Sequence, residues 1–151
     1  MKMEFPLAAA LVVPHSSRML LLDTVLAADE NSLTAEARVR EDNPFARDGV
    51  VGAWVGVEYM AQAIAAFEGC RARERGVGPK VGFLIGSRHY SCTAPGFPVG
   101  TVLQVRIVRQ FEEGGLGLFD GTLTGDGVTA DASISVYQPD DAKQFLLEHG
   151  A

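Results

Sequence analysis

The 151-residue chain has little of what several common activities require. It has two cysteines, Cys70 and Cys92, 22 positions apart, and neither has a second Cys or a paired His at metal-ligand spacing. Zinc-ribbon and CxxC redox chemistry are therefore excluded. Two cysteines in a chain with room for a core read as plain buried thiols in a reducing compartment, so the expected location is cytoplasmic. No run of five basic residues occurs, and 13 Lys plus Arg against 19 Asp plus Glu give a formal net charge of −6, which argues against nucleic acid as a partner. The early apolar stretch, Phe5 to Val13, is too short to span a bilayer and follows Glu4, where a signal peptide prefers basic residues. Sequence self-similarity at a fixed period is absent. So are a GxSxG elbow, a GxxxxGK loop and a GxGxxG after a strand, so hydrolase triads and nucleotide cofactors lack their usual signatures.

What is present is ordinary globular material, 47% hydrophobic and 21% charged, in the length of one domain spanning residues 1–151. Seventeen Gly and seven Pro cut it into short elements. Leu7 to Val13 reads as a short helix stopped by Pro14. Met19 to Ala28 reads as a strand, Asp29-Glu30-Asn31 as a turn, and Leu33, Ala35, Ala37 and Val39 alternate with polar residues as the hairpin partner. Glu41 to Gly52, with Asn43-Pro44, Asp48-Gly49 and Gly52, reads as a loop. Four strand-like segments close the chain, Val81 to Cys92, Thr101 to Glu112, Leu116 to Thr124 and an alternating run over residues 129–136, with Gly114-Gly115 and Gly125-Asp126-Gly127 as turns. A tail helix is expected from Ala142 to Glu148.

Between the two groups of strands lies Ala53 to Phe67, AWVGVEYMAQAIAAF, rich in Ala and without Pro. This predicts a helix about 22 Å long at ~1.5 Å per residue. It is apolar all round, so protein must wrap it on several sides. An antiparallel sheet of about six strands curled around one helix satisfies that demand, an α+β fold. One sheet covers one side of a helix, so the remaining apolar surface predicts a dimer or a partner subunit.

The helix carries one carboxylate, Glu58, and one amide, Gln62, four residues on and hence on the same face. Burying a carboxylate disfavours its charged form, which suits a general acid. A structural role, capping a backbone donor or pairing with Arg18 or Arg88, explains the same residue. Among the three histidines, His15 follows Pro14 in a loop from which a side chain can be aimed into a cleft. His89 lies mid-strand and His149 is the third residue from the end, so His15 leads as a candidate base.

The segment Val55-Gly56-Val57-Glu58-Tyr59-Met60-Ala61-Gln62-Ala63 resembles the helix motif of the hotdog-fold 3-hydroxyacyl-acyl-carrier-protein dehydratases, an acidic residue followed by x-x-Ala-Gln. Val13 to Asp23, with Pro14-His15 and then an apolar run ending in Asp, looks like the family's leading segment. Tyr90 to Gly100, with Pro95 and Pro98-Val99-Gly100, is similar to its Pro-rich turn. The better-known members carry Gly-His-Phe-Pro before the helix, and its His is the base. This chain has Asn43-Pro44-Phe45-Ala46-Arg47-Asp48-Gly49-Val50-Val51-Gly52-Ala53, without His, and looks more like the divergent branch of aryl polyene biosynthesis clusters, which lacks that motif.

The resemblance implies a dimeric hotdog fold and elimination of water from a 3-hydroxyacyl thioester to give the trans-2-enoyl thioester, without metal or cofactor. In that scheme His15, taking the place of the missing base, removes the Cα proton, and Glu58 protonates the leaving hydroxyl. Backbone N–H groups of Ala53 and Trp54 at the positive helix end stabilise the thioester oxygen, with Gln62 beside the substrate. In the family, the His and the acid come from opposite subunits. The partners expected are a related hotdog subunit, as homodimer or heterodimer, and an acyl carrier protein bearing a phosphopantetheine-linked acyl chain. Arg71, Arg73, Arg75, Lys80 and Arg88, with Glu74 as the one acidic residue among them, form the candidate carrier-docking patch. The same arginines also complement a helix C-terminus. Two other functions fit the same residues: a hotdog thioesterase, in which Glu58 activates water, and a non-catalytic subunit of a heterodimer.

Overall fold

A computed structural model describes residues 3–13, 18–76 and 83–138. Among these residues the chain forms ten strands and one α-helix. The strands are β1 (Leu7–Ala8), β2 (Thr24–Ala28), β3 (Ser32–Arg38), β4 (Ala46–Arg47), β5 (Val50–Gly52), β6 (Phe83–Cys92), β7 (Gly96–Pro98), β8 (Val102–Glu113), β9 (Leu116–Gly125) and β10 (Val128–Tyr137). The helix α1 (Gly56–Glu74) follows β5 through a 3-10 turn, Ala53–Val55. Seven strands make one antiparallel sheet in the order β1-β2-β3-β8-β9-β10-β6, and β4-β5-β7 make a small second sheet.

Alternation builds the large sheet as the sequence predicts. In β3, Leu33, Ala35 and Ala37 are buried, and in β8 their register partners Ile107, Val105 and Leu103 are buried with them. These side chains share the face on which α1 lies, and α1 touches β2, β3, β6, β8, β9 and β10. The helix contributes Tyr59, Met60, Ala63, Ile64, Ala66 and Phe67 to the core, and Phe67 meets Phe119 edge to face at 5.8 Å between centroids. Gly121 of β9 lets the helix close in, because a Cβ there would lie 2.8 Å from Met60 Sδ. The fold is thus the expected α+β arrangement of a sheet around one helix.

Three expectations are corrected. Leu7 to Val13 is not a helix but strand β1 followed by a 3-10 turn, Ala9–Leu11, because Leu7 pairs with Val25 and Ala8 with Thr24. The loop before the helix holds the short strands β4 and β5. The helix runs to Glu74 rather than Phe67, so Arg71 and Arg73 form its last turn, where cations complement the carbonyl end of the dipole. The expected tail helix, Ala142 to Glu148, lies outside the described residues. Among the described residues no helix is long and apolar enough to cross a membrane. Both cysteines are free thiols, Cys70 buried and Cys92 half-buried, and burial pushes the Cys70 thiol up to about 11.

Candidate active site

Glu58 sits in the first turn of α1 and is half-exposed. Its Oε1 accepts a hydrogen bond from Gln62 Nε2 at 3.1 Å. Gln62 itself is 1% exposed, and its amide is fully engaged. Its Oε1 accepts the Leu21 N–H at 2.7 Å, and its Nε2 also donates to the Met19 carbonyl at 2.6 Å. The bend that carries the chain into β2 is therefore pinned to the second turn of the helix. That makes Gln62 a bracket for Glu58 and for the leading segment, whereas the sequence had placed it beside substrate.

The leading segment is held a second way. Asp23 Oδ2 accepts the Arg38 N–H at 2.6 Å, and its Oδ1 pairs with Arg40 at 3.1 Å, while Arg40 donates to the Leu20 carbonyl at 2.6 Å. Arg18, one expected partner of Glu58, instead reaches the Asp42 carbonyl at 3.4 Å. Arg88, the other, is exposed and stands opposite Ser133 on the outer face of the sheet, since its neighbours Ala132 and Ile134 in β10 face inward. His15, with Pro14, Ser16 and Ser17, lies outside the described residues.

The loop that lacks the expected His is organised by Asn43, a residue the sequence reading used only as a turn signal. Asn43 is 5% exposed; its Nδ2 donates to the Tyr59 hydroxyl at 3.2 Å and its Oδ1 accepts the Phe45 N–H at 2.8 Å. Burial pushes Tyr59 up to about 12, so its hydroxyl stays neutral through the physiological range. Trp54 is 67% exposed beside this loop, its indole 5.5 Å from the Phe45 ring in an edge-to-face contact. Gly52 leaves the space the indole occupies, for a Cβ there would lie 2.6 Å from Trp54 Nε1.

Among the described residues no side chain caps the 3-10 turn or the α-helix at the helix start. Orphan N–H groups with a positive dipole end favour an anion. The two expected donors differ, however. The Ala53 N–H is already given to the Pro95 carbonyl at 2.9 Å, which corrects its assignment as a substrate donor. The Trp54 N–H lies in the first turn of the 3-10 segment, where a backbone donor has no intrahelical acceptor.

The expected docking patch divides in a similar way. Arg71 is drawn into an internal network, 3.4 Å from both Glu68 and Glu112 and 5.6 Å above the Phe67 ring, which Arg109 approaches at 5.5 Å. Burial raises the pKa of Glu68 within it. Arg71 is thus a structural residue rather than part of a free surface. Arg73 donates to the Leu11 carbonyl at 3.0 Å and is exposed, as are Arg75 and Arg88, and Lys80 lies outside the described residues. A cleft of about 240 Å³ lined by Glu41, Ala46, Asp48, Gly49 and Val99 contains none of the predicted site residues. Among the described residues no three His, Cys, Asp or Glu groups converge as metal ligands.

The family model described as ApeP dehydratase, ApeP-like, matches residues 7–147. The dehydratase heterocomplex ApeI:P from Xenorhabdus doucetiae is similar at 29% identity with a TM-score of 0.85, over 93% of this chain and 97% of that one. A hypothetical thioesterase with coenzyme A from Streptococcus pneumoniae TIGR4 shares the fold at 10% identity and TM-score 0.57, over 77% and 90% of the chains. The PaaI protein from the phenylacetic acid degradation operon of E. coli shares it at 12% identity and TM-score 0.58, over 76% and 81%. No curated protein sequence matches the chain. With a family model covering nearly its whole length, this chain belongs to the ApeP-like dehydratases and has their hotdog fold.

Proposed function

We propose that this dehydratase acts on 3-hydroxyacyl chains carried on the phosphopantetheine arm of an acyl carrier protein in polyene synthesis, with Glu58 as the general acid. The observation that carries the reading is Glu58 itself: a half-exposed carboxyl in the first helical turn, held by the buried Gln62 and beside a helix end without side-chain caps. A base removes the Cα proton, and the electrons pass to the thioester oxygen, which the Trp54 N–H stabilises as charge develops. As they return, the Cα–Cβ double bond forms and the Cβ–O bond breaks. The Glu58 proton joins the departing hydroxyl, and water leaves. His15 remains the proposed base, and the exposed Arg73, Arg75 and Arg88 the surface that meets the acidic carrier. The expected setting is the cytoplasm.

A second reading concerns how many subunits make one site. The ApeI:P structure is a heterocomplex, and the loop over residues 43–53 of this chain has no His. Among the described residues the large sheet also ends at β6, a ten-residue edge strand, and the helix residues Glu58, Ala61, Ala65 and Glu68 are left half-exposed. We infer that a related hotdog subunit docks there.

Product analysis tests the chemistry. Incubation of the assembled protein with a carrier-bound 3-hydroxyacyl thioester is expected to give the trans-2-enoyl thioester with the carrier thiol still blocked. Release of free acid and free thiol would replace dehydration with thioester hydrolysis. Turnover by the homomer alone would dismiss the need for a second kind of subunit.

A further inference from the structure

The proposed oxyanion donor is the Trp54 N–H, and the inference here rests on that reading. A peptide unit is planar and trans, so its C=O and N–H point in opposite directions. The unit joining Ala53 to Trp54 is held at its carbonyl end, because the Ala53 carbonyl accepts hydrogen bonds from the Gly56 N–H and from the Tyr90 hydroxyl. The Ala53 N–H is fixed in turn by the Pro95 carbonyl. We propose that Tyr90 is a positioning residue for dehydration: by binding the Ala53 carbonyl it sets the plane of the Ala53–Trp54 peptide and so aims the Trp54 N–H at the thioester oxygen.

Two features are shaped around that contact. In β6 the register jumps from Ser91 opposite Asp131 to Arg88 opposite Ser133, so His89 and Tyr90 together face Ala132. This is a β-bulge, the device by which a strand re-aims a side chain, and His89 takes up its bend at φ 55°, a region non-glycine residues seldom occupy. On the helix side, residue 56 is Gly in the first turn, where Ala would favour the helix by ~1 kcal/mol. A Cβ there would collide with the Tyr90 hydroxyl and approach Leu123 Cδ1 to 3.1 Å. Burial pushes Tyr90 up to about 12, which keeps the hydroxyl a donor across the working pH range. Because β6 is also the edge strand proposed to receive a partner, the same residue ties the interface strand to the donor.

The test compares Tyr90→Phe, Gly56→Ala and Glu58→Gln in the assembled protein, with a 3-hydroxyacyl pantetheine thioester as substrate. Loss of a whole oxyanion donor costs about 10²–10³ in kcat. Loosening one is expected to lower kcat about tenfold or more in Tyr90→Phe, with KM within about twofold and thermal midpoint and assembly retained. Gly56→Ala, which displaces the hydroxyl, should slow kcat in the same way, and the double variant Gly56→Ala/Tyr90→Phe should be no slower than Tyr90→Phe alone. Full kcat in Tyr90→Phe beside an inactive Glu58→Gln overturns the positioning role and leaves the site reading standing. A fall in thermal midpoint with a proportionate rise in KM and unchanged kcat assigns Tyr90 to packing and overturns it as well. Full rate in both Tyr90→Phe and Glu58→Gln overturns the site reading, and the inference with it.

Discussion

Gln62 makes three hydrogen bonds from a nearly inaccessible position, two to the backbone of the leading segment and one to Glu58. Replacing it with Leu keeps volume but leaves the Leu21 N–H and the Met19 carbonyl without their partner. A buried polar group left unsatisfied costs about 1–3 kcal/mol, so Gln62→Leu is expected to lose about 2 kcal/mol or more in urea unfolding. It should also slow dehydration, because Glu58 loses its bracket. A variant as stable as wild type would show that the leading segment is held chiefly by Asp23 and Arg40. The spacing of Glu58 and Gln62 was legible in the sequence, since residues four apart on a helix share a face. Their division of labour was not, because the partners of Gln62 lie 41 and 43 residues away. Asn43 and Tyr90 escaped for the same reason: each acts through a contact across the fold, 16 and 37 residues distant, and leaves no local pattern.

The long strands and the helix were legible because each repeats its pattern over seven or more residues, whereas β4, β5 and β7 are two or three residues long and have no period to read. The helix overran its expected end because Arg-rich sequence after Phe67 resembles a loop, yet Arg, Ala and Glu are good helix formers and Glu68 pairs with Arg71. Gly69 lies in this extension, and there two preferences conflict. Ala would favour the helix by ~1 kcal/mol, but its Cβ would run into the Val12 carbonyl and lie 3.0 Å from Val12 Cβ. Overpacking costs about 1–3 kcal/mol, and a backbone carbonyl yields less than a side-chain tip. Gly69→Ala is therefore expected to be net destabilising by about 1 kcal/mol, measured by urea midpoint. A gain in stability would mean that the turn over residues 9–11 moves freely against the helix.

Among the described residues the large sheet has two unequal edges. β1 offers two residues, while β6 offers ten. In the proposed assembly a partner on the β6 side adds its surface to the helix of a chain whose 43–53 loop has no His. A second subunit is expected from the apolar helix, since one sheet cannot cover it, whereas the proposed docking edge rests on strand order and not on any local signal. The central claim, that this chain supplies the acid of the reaction, is tested most directly by the dehydration rate of the assembled Glu58→Gln variant on a carrier-bound 3-hydroxyacyl substrate. Gln preserves shape and removes the transferable proton, so enoyl thioester formation should fall at least ~100-fold, the scale of general acid catalysis, while folding and assembly are unchanged. A wild-type rate from a folded, assembled Glu58→Gln protein would contradict the account.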